Sequence, residues 1–405
     1  MRAERRIALV LGAGSSHHFG FPLGEELVTL IRRRAADILP RLAKGKEVAY
    51  GPDQLRERAQ DFAKKLGPAK SIDVFLGLNP TFWDDGKKTI AGILLELEDE
   101  RKLFDLGEID KKLYDPWYKE FWDWLLRRDL RDFGSETLSI ITFNYDRSLE
   151  HYLHSAARRM LEETEHDPTE LLRKLRIVHV HGQLGPLQLR QYEVGVPYGG
   201  DQSKGTPTVP CILRAAEDIE IISEAEDDST EFLEAREYLA EADTIILLGF
   251  GFHPDNLRRL FKDYRRPHSL TLAGTCLGYP RVKREALIET LLHHMGFPEA
   301  EYVTEFRGGH SLALYGRNPD HAAYALPARW AVRATSATPD GVGMRADVDP
   351  FTQPLIADGT DGVLRICPQR GDLSANEPGP RDDVVALDFH DSKIAEFMHN
   401  SPYFL

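Results

Sequence analysis

Residues 7–22 read IALVLGAGSSHHFGFP, and this stretch decides the fold of the chain. An apolar run from Ile7 to Leu11 ends in Gly12-Ala13-Gly14, and an amphipathic segment follows from Gly24. A buried strand, a glycine turn and a helix in this order predict a βα unit of the type that binds dinucleotides. Glycine reaches backbone angles closed to other residues, so we expect Gly12 and Gly14 to let a phosphate approach the backbone N–H groups.

The composition is that of a globular protein without a membrane span. The chain has 405 residues, of which 42% are hydrophobic and 29% charged, as in ordinary globular proteins. No apolar run approaches the roughly 20 residues that a membrane helix needs. The run Ile7 to Leu11 is also shorter than the apolar core of a signal peptide, which takes about 7 to 15 residues. We therefore predict a cytoplasmic protein that does not contact a membrane.

Charge and cysteine content argue against two further classes of site. The formal net charge of −14 argues against direct binding of nucleic acid. The three cysteines, Cys211, Cys276 and Cys367, are far apart and form no CxxC pair, so no metal site is predicted. We expect them to be reduced thiols.

Three further strands are each followed by glycine or polar residues. Leu138 to Phe143 runs into Asn144-Tyr145-Asp146, Ile177 to His181 into Gly182, and Thr244 to Leu248 into Gly249-Phe250-Gly251. Helical segments separate these strands, which predicts an α/β fold with a Rossmann-like, mostly parallel sheet. In such sheets ligands bind beyond the carboxyl ends of the strands.

The remaining sequence predicts additions to this sheet. Residues from about 45 to 135 are predicted to form an inserted helical subdomain whose core includes Trp117, Trp122 and Trp124. Residues from about 186 to 229 show little periodicity and predict a loop that covers a pocket. We expect one domain over residues 1–326 and an extended tail over 327–405, which is either flexible or wrapped on a neighbouring subunit.

Two residue assignments have competing interpretations. Asn144 follows a strand and precedes a helix, so it is either a helix N-cap or a group that binds a ligand. His179 and His181 alternate along a predicted strand, so only one of them faces the pocket. The glycine after His181 favours that residue, and we predict that His179 is buried and hydrogen-bonded.

Four stretches stand in a fixed order along the chain: GAGSSHHFGFP, TFNYD, HVHGQLG and LLGFGFHPDN. Together they resemble the sirtuin superfamily, and more closely the sirtuin-like NADases of bacterial antiphage defence, in blocks between Ile7 and Gly316. The resemblance implies a sheet that binds NAD as substrate and an activity that cuts the bond between nicotinamide and ribose. It also implies a homo-oligomer and a partner of the HerA-like hexameric ATPase type.

The same resemblance implies a role for individual residues. Asn144 and His181 would be catalytic, and Asp146 would bind the carboxamide of nicotinamide. Histidine titrates near neutral pH and can act as a general base. The other residues implied in binding NAD are those of the glycine turn (Gly12, Ala13, Gly14, Ser15, Ser16, Phe21) and those near the adenosine half (Gly249, Phe250, Gly251, His310). The segment SIDVFL, residues 71–76, resembles a helix signature of the defence branch.

The chain departs from the deacylating sirtuins in two places. It lacks their four-cysteine zinc module, and Pro22 is followed by Leu23-Gly24 where they carry an arginine. The sequence therefore favours an NAD glycohydrolase, acting as a defence effector gated by oligomerisation or by a partner ATPase. The alternatives are an NAD-dependent protein deacylase and a non-catalytic sensor of NAD or ADP-ribose that regulates a partner ATPase or nuclease.

Overall fold

The fold is described from a computed structural model of the chain. The residues that the structure describes are 6–43, 51–104, 117–127, 137–160, 167–201, 206–221, 228–264, 270–276, 281–295, 302–306, 310–315, 324–327, 334–337, 344–346, 355–358, 363–368, 385–390, 393–394 and 397–398.

One or more helices separate each strand from the next as far as the sixth strand. The helices are α1 (Gly14–His17), α2 (Gly24–Leu42), α3 (Pro52–Lys65), α4 (Ile72–Leu78), α5 (Trp83–Leu97), α6 (Glu100–Leu103), α7 (Trp117–Arg127), α8 (Ser148–Met160), α9 (Pro168–Lys174), α10 (Val209–Glu217), α11 (Thr230–Glu241), α12 (Pro254–Leu260) and α13 (Arg281–His294). The strands are β1 (Ile7–Leu11), β2 (Leu138–Thr142), β3 (Arg176–His179), β4 (Thr244–Leu248), β5 (Leu270–Thr275), β6 (Tyr302–Phe306), β7 (His310–Tyr315), β8 (Tyr324–Pro327), β9 (Ala334–Ala337), β10 (Met344–Ala346), β11 (Leu355–Asp358), β12 (Val363–Pro368) and β13 (Val385–His390).

The chain divides into two compact units. The central unit is the continuous stretch Leu11–Ala235, and the split unit combines Met1–Val10 with Arg236–Leu405. The division of the chain at residue 326 stays a prediction.

In the central unit, strand β2 pairs in parallel with β3, with Ile140 opposite Ile177. The N–H of Phe143 donates to the carbonyl of Leu11 at 2.9 Å, which ties the end of β2 to the end of β1. All five residues of β2 are buried, as expected for a parallel strand covered on both faces.

The described residues between α3 and α7 form helices α4, α5 and α6 joined by short turns, as predicted for this part of the chain. Trp117, Trp122 and Trp124 of α7 are buried, which confirms that they belong to the core. Trp117 contributes one further bond, from its Nε1 to the carbonyl of Ser15 at 2.7 Å. The helical segment thereby holds the turn that follows β1.

In the split unit, the strands of the larger sheet lie in the order β1-β4-β5-β13-β7-β6. Strand β5 pairs in parallel with both β4 and β13, whereas β13–β7 and β7–β6 are antiparallel. A second, antiparallel sheet has the order β8-β12-β11-β10-β9. The predicted α/β class with a mostly parallel sheet is confirmed, and β9 to β13 occupy the range for which a tail was predicted.

One local prediction was wrong. The stretch after residue 186 was expected to be loop, yet it contains α10, whose Ile212 and Ala215 are fully buried.

No helix in the described ranges is both long and apolar enough to cross a membrane.

Candidate functional site

The glycine turn after β1 is compact and internally bonded. The N–H of Ser15 donates to the carbonyl of Gly12 at 2.8 Å, and α1 begins there. The left-handed backbone occurs at Gly20, with φ +96°, whereas neither Gly12 nor Gly14 has a positive φ. The role of Gly12 and Gly14 in letting a phosphate approach the backbone stays a prediction. Gly20 reverses the chain so that the next residue, Phe21, is buried.

Side chains from the glycine turn and from the end of β2 form one hydrogen-bond network. Ser16 Oγ donates to Asp146 Oδ2 at 2.8 Å. Asn144 Nδ2 lies 3.1 Å from Ser15 Oγ and 3.3 Å from Ser16 Oγ and donates to both. All four residues are buried. The structure thus joins residues about 130 positions apart in the sequence; their roles toward NAD stay predictions.

Asp146 also shapes the start of α8. Its Oδ1 accepts from the backbone N–H of Ser148 at 3.2 Å and from the Ser148 hydroxyl. Burial raises the pKa of Asp146, and the bonds from Ser148 and Ser16 oppose that rise. The helix-capping alternative for Asn144 is wrong, because Asp146 is the residue whose side chain bonds the first N–H of α8.

His181 lies beside this network, in the turn after β3. It was predicted to be a strand residue, but β3 ends at His179. The His181 ring is buried, with its centroid 5.6 Å from that of Phe143 and 6.2 Å from that of Tyr145, the two neighbours of Asn144. Its carbonyl accepts from Glu220 N at 2.9 Å. The turn therefore holds an imidazole next to the Asn144 segment.

Replacing Gly182 with alanine should lower the free energy of unfolding by about 3 kcal/mol or more. Gly182 has φ +67°, and a Cβ there would lie 1.9 Å from the carbonyl oxygen of Asp218. Urea unfolding measures the loss. The control is Gly24→Ala, where a Cβ meets nothing within 4 Å and a change within about 0.5 kcal/mol is expected. Equal stabilities of the two variants would contradict the prediction.

The segment SIDVFL forms the start of α4 and contacts the site through one residue. The Tyr145 hydroxyl donates to Asp73 Oδ1, and burial raises the pKa of Tyr145 well above its ordinary value. Ser71 Oγ accepts from Val74 N at 3.4 Å and begins the helix. The signature therefore anchors Tyr145, the residue between Asn144 and Asp146.

A buried ion pair next to the network was missed at the sequence level. Arg147 and Glu98 are fully buried side chains joined by two hydrogen bonds, of 3.0 Å to Oε1 and 2.7 Å to Oε2. Arg147 also donates to the carbonyl of Val196 at 2.8 Å, and Gly199 N donates to Glu98 Oε2 at 2.7 Å. The loop predicted to cover a pocket is therefore bound to this pair. An arginine directly after Asp146 was visible in the sequence, but its partner was not.

His179 is buried and hydrogen-bonded, as predicted. Its Nδ1 lies 2.8 Å from the carbonyl oxygen of Asn144, and its Nε2 lies 2.6 Å from Glu150 Oε1. This histidine therefore contacts the backbone of the same asparagine whose side chain contacts Ser15 and Ser16.

Four of the candidate residues belong to the split unit. Gly249 has φ +58°, and its N–H donates to Thr275 Oγ1 at 3.0 Å. Phe250 is buried, while a Cβ on Gly251 would meet nothing within 4 Å. His310 is the first residue of β7, and its side chain lies outside the described residues. The roles of these four residues stay predictions.

In the parts of the chain that the structure describes, no group of three or more His, Cys, Asp or Glu side chains is placed to hold a metal ion.

Comparison with known proteins bears on the same region. The chain matches no curated protein. The family model of the SIR2-like domain matches residues 138–270, from the first residue of β2 to the first of β5. Asn144, Asp146, His181 and Gly249 to Gly251 lie inside this match, and the glycine turn lies before it. Since SIR2-like domains use NAD, the match indicates NAD-related chemistry and supports a sirtuin-like family for this chain.

Proposed function

We propose that this protein is an NAD glycohydrolase that cleaves NAD to nicotinamide and ADP-ribose. The observation that carries the proposal is the buried network of Ser15, Ser16, Asn144 and Asp146, with the His181 ring beside it. It places an amide, a carboxylate and an imidazole next to a glycine turn. The amide can hydrogen-bond a ribose hydroxyl, the carboxylate can accept from the carboxamide of nicotinamide, and the imidazole can accept a proton.

The network retains capacity to bind a substrate. A carboxylate offers about four acceptor positions, and Asp146 receives donors from Ser16 and, twice, from Ser148. One position is left for the carboxamide N–H of nicotinamide. Asn144 uses its Nδ2 toward the two serines, which leaves its Oδ1 to accept from a ribose hydroxyl.

The proposed reaction balances with water alone. The bond between the anomeric carbon and the nicotinamide nitrogen breaks, and its electron pair leaves with neutral nicotinamide. The oxygen of a water molecule bonds to the anomeric carbon, and His181 accepts the proton that the water loses. Asn144 orients the ribose so that the water approaches the correct atom. The chain has three cysteines, too few for the four-cysteine zinc module of the deacylating sirtuins. We therefore prefer hydrolysis of free NAD to NAD-dependent deacylation of a protein.

In the cell, we propose that the chain is a toxic effector of bacterial antiphage defence. Unrestrained cleavage of NAD would harm the host, so the activity requires a gate. A homo-oligomer and a HerA-like hexameric ATPase are the proposed partners, on the strength of the resemblance to sirtuin-like defence NADases. The cytoplasm, where NAD is abundant, is the proposed location.

The proposal is tested by nicotinamide release from NAD, with the purified chain alone and with a HerA-like ATPase. We expect Asn144→Ala to lower kcat by about 100- to 1,000-fold, as for loss of a group that orients the reacting atoms. Asn79→Ala is the matched control, because Asn79 Nδ2 donates to the carbonyl of Phe75 in the same helix, at the end of α4. The control should keep wild-type turnover.

Other outcomes contradict either the glycohydrolase proposal or the role of Asn144 in it. Binding of NAD without nicotinamide release, with or without the ATPase, favours the sensor. Release that depends on an acetylated peptide favours the deacylase. Equal kcat values for Asn144→Ala and Asn79→Ala remove Asn144 from the reaction.

A further inference from the structure

His179 bridges two elements of the central unit that carry the proposed chemistry. It is the last residue of β3 and pairs with Thr142 at the end of β2. One ring nitrogen, Nδ1, lies 2.8 Å from the Asn144 carbonyl oxygen after β2. The other, Nε2, lies 2.6 Å from a carboxylate oxygen of Glu150 on α8. Both distances are those of strong hydrogen bonds.

Both atoms that face the ring are hydrogen-bond acceptors. A backbone carbonyl has no proton to give, and a carboxylate only accepts. A neutral imidazole donates through one nitrogen, whereas an imidazolium donates through both. The two contacts are therefore satisfied together only when the His179 ring carries a proton on each nitrogen.

The charges around His179 favour that form. Burial lowers the pKa of His179, but the charge of Glu150 and its hydrogen bond outweigh burial. The Asn144 carbonyl and the charge of Asp146 act in the same direction, so the pKa lies above the ordinary histidine value of 6.5. The charged groups that raise the pKa of His179 are thus Glu150 on α8 and Asp146 after β2.

We propose that His179 is a positioning residue: as an imidazolium held by Glu150, it fixes the backbone of Asn144 and thereby the side chain that contacts the substrate. Asn144 is then held at its carbonyl, its N–H and its side chain. The carbonyl contacts His179, the N–H donates to Thr142 Oγ1 at 3.1 Å, and Nδ2 donates to Ser15 and Ser16. The part of this inference that concerns catalysis rests on the proposed NAD cleavage. The charge state of His179 does not.

Loss of the proton would alter the contact with Asn144. Glu150 is the stronger acceptor of the two, so the remaining proton stays on Nε2. The lone pair of Nδ1 then faces the carbonyl oxygen of Asn144 at 2.8 Å, and an attraction becomes a repulsion. A small displacement of a group that orients the substrate lowers kcat by about 10- to 100-fold. Turnover should therefore fall as the pH rises through the pKa of His179.

The charge state is tested directly by nitrogen-15 NMR of the histidine rings in the full chain, with His179 assigned from the signal missing in His179→Gln. We expect both nitrogens to be protonated at pH 6.5 and the ring to titrate above that pH. In Glu150→Gln, which keeps an oxygen at the same place without the charge, the titration should move to lower pH. A neutral ring at pH 6.5 in the wild-type chain, or an unchanged titration in Glu150→Gln, overturns the proposal.

The positioning role is tested by the pH profile of kcat and KM for NAD. Because Glu150→Gln should lower the pKa of His179, kcat of the variant should fall at a lower pH than kcat of the wild type. Between the two pKa values the variant should be slower by about 10-fold or more, with little change in KM. The control is Glu100→Gln, because Glu100 is also a glutamate beside a histidine: its carboxylate lies 3.8 Å from the ring of His151 on α8. Its profile should match that of the wild type. If Glu150→Gln lowers kcat equally at every pH, the role is merely structural and the proposal fails.

The two readouts separate this inference from the proposed function. Absence of nicotinamide release by the wild-type chain contradicts the glycohydrolase, while the NMR titration still decides the charge on His179. Turnover by the wild type with a neutral His179 contradicts the positioning role alone.

Discussion

Replacing Arg147 with methionine is expected to lower the free energy of unfolding by about 3 to 5 kcal/mol. The change leaves the Glu98 carboxylate buried without its cation, which is the costly way to disrupt a buried ion pair. It also removes the donor to the carbonyl of Val196. Urea unfolding of the wild type and the variant at pH 7 measures the loss.

The pH dependence of this variant follows from Glu98. Burial raises the pKa of Glu98, and the charge of Arg147 opposes that rise. Without Arg147 the folded protein binds a proton at Glu98 at higher pH than the wild type does. A group whose folded pKa is raised favours folding below its unfolded pKa and loses that contribution as pH rises. The stability deficit of Arg147→Met should therefore shrink as the pH is lowered from 7 toward 4.5.

Two further variants distinguish a buried charge from a lost contact. Arg147→Met combined with Glu98→Gln removes both charges and keeps an acceptor for Gly199 N, so it should be more stable than Arg147→Met alone. Arg101→Met removes an exposed pair with Asp99, for which a loss of at most about 1 kcal/mol is expected. If Arg147→Met is no less stable than Arg101→Met, the ion pair does not hold the loop.

The second large effect is expected on catalysis. Replacing His181 with glutamine should lower kcat for NAD cleavage by about 100- to 10,000-fold, the usual range for loss of an acid–base group. Glutamine keeps a polar side chain of similar reach but cannot accept a proton near neutral pH. KM should change little, because the proposed role of His181 lies in proton transfer and not in binding. Nicotinamide release under saturating NAD measures the effect.

His154→Gln is the control for this measurement. His154 is also buried and lies on α8, where its Nε2 is 3.2 Å from Thr169 Oγ1. The same substitution there should leave kcat close to the wild-type value. If His181→Gln retains wild-type kcat, then another group accepts the proton, and the general-base assignment is wrong.

Local features of the site could be predicted from the sequence. Strands β1 and β4 have the predicted bounds because each is a short β-branched, apolar run closed by glycine. The burial of Trp117 followed from apolar spacing in a helix. Because parallel strands present their carboxyl ends at one edge, the meeting of Asn144 with the glycine turn could also be expected.

Long-range polar pairs could not be predicted. Arg147–Glu98 and His179–Glu150 join residues 49 and 29 positions apart, and no periodic pattern marks either partner. The left-handed angle at Gly20 depends on how the chain returns to bury Phe21, which a motif of glycines near β1 does not specify. The sequence thus predicts which side chains reach the site, while three-dimensional packing decides what holds them there.

The central unit stands in the sequence between the two parts of the split unit, and this order affects how the chain folds during synthesis on the ribosome. The carbonyl of Arg6, just before β1, accepts from Thr244 N at 3.0 Å, and Arg6 N bonds a side chain 237 positions later. The apolar residues Ile7 to Val10 emerge early but find these partners only after the whole central unit has been made. Closing so long a loop carries an entropic cost and slows folding. The β4 side of β1 therefore stays unpaired until the residues near Thr244 have been made, and it is an edge that a chaperone would have reason to shield.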